Sequence, residues 1–105
     1  MTNCRLVLTT AGSKEEAQRI ARALVGRRLA ACVNIVPQME SVYRWQEGVE
    51  EAQECLLLIK TLSSAVESVF SAIKELHSYE LPESIALSVE SGSAEYLQWI
   101  GESVG

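Results

Sequence analysis

Apolar and polar positions change period several times along this chain, and each change marks an element. Cys4-Arg5-Leu6-Val7-Leu8-Thr9-Thr10 reads as a strand that Ala11-Gly12 breaks. Ser13-Lys14-Glu15-Glu16 then has the form of a capping box, in which the serine hydroxyl accepts from the Glu16 N–H and the glutamate reaches back. Ala17, Ile20, Ala21, Leu24 and Val25 follow at helical spacing and predict an amphipathic helix over 14–28. Residues 30–45 read as a long strand interrupted by Pro37, which implies an edge position, a bulge or a bend. Gln46-Glu47-Gly48 turns the chain, and 49–61 form the returning strand, charged at first and solidly apolar from Cys55 to Ile59. Ser64-Ala65-Val66-Glu67 suggests a second capping box. Val66, Val69, Phe70, Ile73 and Leu76 form the stripe of a helix over 64–77. Residues 84–89 alternate, with Ile85, Leu87 and Val89 on one face. Ser93 caps a short last helix whose buried positions would be Tyr96, Leu97 and Ile100.

The order βαββαβ plus one helix predicts an α+β, ferredoxin-like sandwich, in which an antiparallel sheet carries two helices on one face. One domain over 1–105 suits the length.

Two features conflict with a solitary protomer. Leu29-Ala30-Ala31-Cys32-Val33 and Cys55-Leu56-Leu57-Leu58-Ile59 are apolar at every position, so both faces of those strands call for cover. The middle hairpin is also too long. A strand of about 16 residues at ~3.3 Å each spans roughly 50 Å. A domain of this size has a diameter of about 35 Å. The hairpin must overhang or bend, and an overhanging ribbon exposes edges. A closed homo-oligomer whose sheets pack on one another resolves both conflicts.

Composition narrows the function classes. The net charge of −5 argues against sequence-independent nucleic-acid binding. Arg27-Arg28 is the one adjacent basic pair and fits a helix C-terminus. No apolar run approaches the ~20 residues needed to span a bilayer. The start of the chain lacks signal-peptide character, which predicts a cytoplasmic protein. All 14 acidic residues are glutamates, so EF-hand loops, aspartyl phosphates and an intrachain Ser-His-Asp triad are excluded. Cys4, Cys32 and Cys55 lie far apart in apolar runs, which predicts small core residues in a reducing compartment.

Candidate chemistry collects in Leu76-His77-Ser78-Tyr79-Glu80-Leu81-Pro82-Glu83, where a helical pattern gives way to a strand. His77, the single histidine, is the candidate metal ligand, since imidazole commonly binds copper, zinc and nickel. A lone histidine favoured by a helix dipole is the competing explanation. Lys60, Tyr79 and Glu83 are candidates for a polar inter-subunit pocket holding a small anion or a metal; Lys60 and Glu83 as an interface ion pair is the alternative. Glu47, Glu50, Glu51 and Glu54 read as solubilising a hairpin tip, and Tyr43 and Trp45 as interface packing. Gly92-Ser93 needs no role beyond capping, and no catalytic motif is present.

Leu29-Ala30-Ala31-Cys32-Val33-Asn34-Ile35-Val36-Pro37, then Ser41-Val42-Tyr43-Arg44-Trp45, then Leu76 through Glu83 resemble, in that order, segments of the CutA family of divalent-cation tolerance proteins. Glu54, Leu56 through Thr61, and Tyr96-Leu97-Gln98-Trp99-Ile100 match as well. The resemblance implies a ferredoxin-like protomer in a tight, non-enzymatic homotrimer, with a link to copper and other divalent cations. Family members credited with copper ligands carry a cysteine at the end of the first strand and a His-His pair at the end of the second helix. Here those positions hold Thr9-Thr10 and Leu76-His77, so only His77 carries over and the implied metal binding is weak. The trimeric nitrogen-regulatory PII proteins share the architecture by analogy. They suggest the alternative of a signalling trimer that binds a small molecule or anion in the inter-subunit cleft.

Overall fold

The computed structural model describes residues 1–105. In chain order the elements are β1 (Cys4–Ala11), α1 (Lys14–Gly26), β2 (Cys32–Trp45), β3 (Gly48–Leu62), a single 3-10 turn (Ser63–Ala65), α2 (Val66–Leu76), β4 (Ile85–Ser88) and α3 (Ala94–Ser103). The strands form one antiparallel sheet in the order β2-β3-β1-β4. This is the ferredoxin-like α+β arrangement expected from the order of elements.

The core lies between one face of the sheet and the pair α1, α2. Val7, Leu57 and Ile59 are fully buried there against Ile20 and Leu24 of α1 and Val69 and Ile73 of α2. Ser13 caps α1 as expected, its Oγ accepting from the Glu16 N–H at 3.1 Å. Val25, expected on the buried stripe, is 43% exposed, because α1 ends one residue later and the core-facing positions stop at Leu24. The second capping box does not form. Ser63–Ala65 make a 3-10 turn, and α2 begins at Val66 with Ala65 at its cap and no side-chain hydrogen bond there. The tighter turn takes up residues that an α-helical start would have used.

The opposite face of the sheet carries Val36, Leu56, Leu58, Leu8, Leu6, Ile85 and Leu87, as the pairing register requires. α3 covers one end of it. Its Tyr96 meets Lys60, which shares that face with Cys32 and Leu6. Of the three residues expected to be buried in α3 only Ile100 is fully so; Tyr96 is exposed, because its ring lies beside Lys60 rather than in the sheet-facing row. Arg28, in left-handed backbone at φ 59°, donates to the carbonyls of Glu102 and Gly105 at the end of α3. Arg28 thus serves the end of α3 rather than its own helix, and Arg27 pairs with the Glu75 carboxylate of α2. Val36, Ile85 and Leu87 remain between 43% and 49% exposed.

The long hairpin overhangs as expected. The molecule measures 45 × 25 × 23 Å. Residues beyond Met39 on β2 pair only with β3. Val36 pairs with Leu56 and Met39 with Glu54, so β2 carries one extra residue at Pro37-Gln38, and Gln38 has φ 60°. This bulge moves the alternation by one. Met39, Ser41, Tyr43 and Trp45 therefore continue the face that carries Val36, and Glu54 continues the row of Leu56.

Candidate functional site

The connection from α2 to β4 folds back against the ends of β1 and α1. His77 follows the last helical residue, and its side chain has no exposed surface. Both ring nitrogens are engaged. Nδ1 accepts from the Tyr79 N–H at 3.0 Å, which leaves the proton on Nε2, and Nε2 donates to the Thr10 carbonyl. The imidazole also stacks at a tilt on the Tyr79 ring, with centroids 4.6 Å apart.

Glu16 closes this cluster from the first turn of α1. Its Oε2 accepts from the Ser78 N–H at 2.8 Å and lies 3.9 Å from His77 Nδ1. Its other oxygen reaches the Gly12 N–H at 3.4 Å. Burial alone would push the Glu16 carboxyl upward. Hydrogen bonds from Ser78, the neighbouring imidazole and the Gly12 amide outweigh it and hold the group below its ordinary value. Arg19 ties down the Leu76 carbonyl at 2.9 Å. The reach-back glutamate of the capping box thus serves a distant segment.

Tyr79 extends from the cluster to the other side of the sheet. Its hydroxyl donates to Glu54 Oε2 at 2.8 Å. Burial and the Glu54 carboxylate both push the phenol above its ordinary value, so it stays a donor across the physiological range. Tyr79, Glu54 and Glu83 line a cavity of about 750 Å³ beneath the hairpin, together with Thr10, Tyr43 and Trp45. Glu54, expected to solubilise the hairpin tip, is only 8% exposed, because it lies two residues from Leu56 on the same face of β3, at the root of the overhang, where Tyr79 covers it.

Lys60 stands apart from this cavity within the protomer. Its ammonium donates to Tyr96 Oη at 3.1 Å, which raises it above the ordinary lysine value while partial burial opposes the shift. It makes no ion pair with Glu83. Of the expected pocket residues, then, one protomer unites Tyr79 and Glu83. No group of three or more His, Cys or Glu side chains converges on one point in the protomer. The closest donor pair to His77 is Glu16.

Glu16 and Glu54 were missed as site residues by the sequence reading. Glu16 carried a signal for its cap alone, since nothing in the spacing reveals a contact with Ser78. Alternation along β3 puts Glu54 on the face of Leu56, but nothing in the sequence shows that Tyr79 reaches it there.

Comparison with known proteins identifies the family and the fold. The family model described as CutA1 divalent ion tolerance protein matches residues 5–103. The divalent-cation tolerance protein CutA of Thermus thermophilus is 51% identical over 100 residues, covering 95% of this chain and 97% of that one. Human protein CutA is 47% identical over 91 residues, covering 87% of this chain; this chain spans about half of the human protein, 51%. The crystal structure of CutA from Xylella fastidiosa superposes with a TM-score of 0.97 at 41% identity, covering 99% of this chain and 100% of that one. The chain belongs to the CutA1 family of divalent ion tolerance proteins.

Proposed function

We propose that this protein is a cytoplasmic, non-enzymatic homotrimer of divalent-metal homeostasis that binds copper or another divalent cation weakly. Support for trimerisation comes from the overhanging hairpin and from the half-exposed apolar face of Val36, Ile85 and Leu87. The observation that carries the metal reading is the pair His77 Nδ1 and Glu16 Oε2, 3.9 Å apart. A metal held about 2 Å from each atom would sit almost in line between them, as trans ligands do, or draw the two side chains closer. Loading it requires Nδ1 to release the Tyr79 amide and Oε2 to release the Ser78 amide, against the Arg19 guanidinium 3.5 Å from Oε2. Two lost hydrogen bonds and only two protein ligands account for weak binding. The test is a calorimetric Cu(II) titration with glycine as competitor. Saturable wild-type binding should weaken by about tenfold or more in His77→Ala and in Glu16→Gln. No binding above the competitor, or equal binding in all three proteins, sinks the metal reading.

A second reading is favoured by the cavity beneath the hairpin: a trimer that binds a small molecule. About 750 Å³ lies within the usual size of ligand pockets. In the assembled trimer Lys60 would join Tyr79 and Glu83 from a neighbouring subunit. Chelator-insensitive ligand binding that weakens in Lys60→Ala separates this reading from the metal one.

A further inference from the structure

α3 stands outside the layer formed by α1 and α2, and its two ends are built differently. The chain reaches it through residues 89–93, which form no helix or strand. Its first turn is capped locally, Ser93 Oγ accepting from the Tyr96 N–H at 3.3 Å. Gly92 lies so close to the helix that a Cβ there would meet Leu97 at 3.1 Å. The last turn has no such provision of its own. It holds no basic residue, and Val104 ends it in extended backbone. The free carbonyls of a helix end need donors. Here they come from Arg28, 74 residues before Glu102 in the chain. Its Nη2 donates to the Glu102 carbonyl at 2.9 Å and its Nε to the Gly105 carbonyl at 2.6 Å. In return the Gly105 N–H donates to the Arg28 carbonyl at 2.9 Å.

Apart from the Ser93 cap, four hydrogen bonds join residues 94–105 to the rest of the chain, and three of them end on Arg28. The fourth is the bond from Lys60 to Tyr96. Ile100, 3% exposed, is the apolar anchor between the two ties. All of these contacts lie within one chain, so they do not depend on how copies of it assemble.

Arg28 is also held in backbone that arginine rarely adopts. It follows α1 where the helix end turns left-handed, at φ 59°, with its N–H on the Val25 carbonyl and the Leu29 N–H on the Leu24 carbonyl. Glycine is the usual residue at such a turn. A larger residue there costs free energy and persists where its surroundings over-determine it.

We propose that α3 is a strap that opens as a unit about residues 89–93, and that Arg28 is its latch, kept in left-handed backbone because from there its side chain caps α3. The planar guanidinium presents two nitrogens along one edge to two carbonyls at once, which a lysine ammonium cannot reproduce. Closing the strap places Tyr96 on Lys60 and supplies the one hydrogen bond that this ammonium makes within the chain; opening it frees the ammonium. Neither His77 nor Glu16 takes part.

Hydrogen exchange of the intact protein, read by mass spectrometry, tests the latch, because amide exchange reports how often a segment opens. Arg28→Gly keeps the backbone turn and removes the side chain. Exchange across 94–103 should then speed up by about tenfold or more, the loss of two charge-assisted hydrogen bonds. Exchange across 14–26 should be no faster than in wild type, since glycine suits that helix end. Arg28→Lys retains the charge and should recover part of the protection. Lys60→Met removes the other tie and should speed exchange in α3 by a smaller factor. Unchanged exchange across 94–103 in Arg28→Gly overturns the proposal. Equal acceleration of 14–26 and 94–103 also overturns it, since Arg28 would then support the whole fold. A larger effect in Lys60→Met than in Arg28→Gly does so as well, since the strap would then be held at Lys60.

Discussion

The 77–83 connection and the 39–52 hairpin leave the same sheet from nearby points, yet they treat polar and apolar groups in opposite ways. In the connection the donors and acceptors near its start are consumed internally. His77 uses both nitrogens, Glu16 accepts from Ser78, and Arg19 donates to the Leu76 carbonyl. In the hairpin the apolar groups are left unspent: Val42 is 65% exposed, Val49 62%, Tyr43 43% and Trp45 41%. The residue types usually associated with chemistry are therefore structural in one region. Those usually associated with packing are open in the other. Reactivity in this protein is limited by what the fold has already committed, and association by what it has not.

The largest effect that sharpens this comparison is on assembly. Leu57 is fully buried in the helix-covered half, and Leu57→Ala should cost about 3 kcal/mol in urea unfolding. Val42→Asp would change stability by no more than about 0.5 kcal/mol in an isolated protomer, since the residue is exposed there. In a trimer that buries the hairpin it should dissociate the subunits and make the melting temperature depend on concentration. Light scattering after size exclusion checks this; an unchanged trimer mass in Val42→Asp would remove the hairpin from the interface.

The next effect breaks the connection from inside. His77→Ala leaves the Thr10 carbonyl and the Tyr79 amide without their partner, so it should cost about 2–4 kcal/mol. A loss below about 0.5 kcal/mol, the range of ordinary surface substitutions, would show that the imidazole is not structural. The same variant tests metal binding, so its stability must be measured first and titrations run where it is folded.

How far the sequence could be read follows the same division. Strand alternation and helical stripes name the core residues, because burial is what periodicity encodes. Leu24, Val69 and Ile73 are all where their spacing placed them, whereas the unbroken apolar run at 55–59 did not say which face Leu57 takes. The overhang was legible too, because strand length is a count. Long-range polar contacts leave no such trace. Glu16 shows a capping signal and spends its carboxylate on Ser78, 62 residues away. Glu54 reads as one of four tip glutamates, yet it spends its carboxylate on the Tyr79 hydroxyl, 25 residues away. Tyr96 has helical spacing for burial yet serves Lys60, because α3 meets the sheet at one end only.

A smaller effect is the pH dependence that the connection adds. The Glu16 carboxyl is held below its ordinary value of 4.5 in the folded protein. Its ionised form is thus the one that stabilises the fold. That contribution is complete above the unfolded value and is lost as pH falls through the folded one. Thermal melts carried from neutral pH to below pH 4.5 should fall less steeply in Glu16→Gln than in wild type, the difference opening only below 4.5. An identical slope in both proteins would mean that the carboxylate gains nothing from Ser78, Gly12 and His77.

The smallest effect tests whether the two regions touch through Tyr79. A Cβ at Gly12 would lie 3.1 Å from the Tyr79 hydroxyl, tighter than ordinary contact, so something must give by a few tenths of an ångström. The ring can yield only by loosening its 2.8 Å bond to Glu54. Against this, replacing glycine by alanine stabilises through the unfolded chain by about 0.4–1 kcal/mol where the backbone allows it. The backbone of Gly12 lies outside the left-handed region, so alanine meets no conformational penalty there. Gly12→Ala should therefore be near neutral or slightly destabilising in the wild type. In a Tyr79→Phe background the obstructing hydroxyl is gone, and the same change should become stabilising by a few tenths of a kcal/mol, about the size of weak coupling between touching residues. A double-mutant cycle measures the difference. Additivity of the two changes would mean that the Tyr79 ring moves freely and does not hold Glu54, and the connection and the hairpin would then be energetically independent.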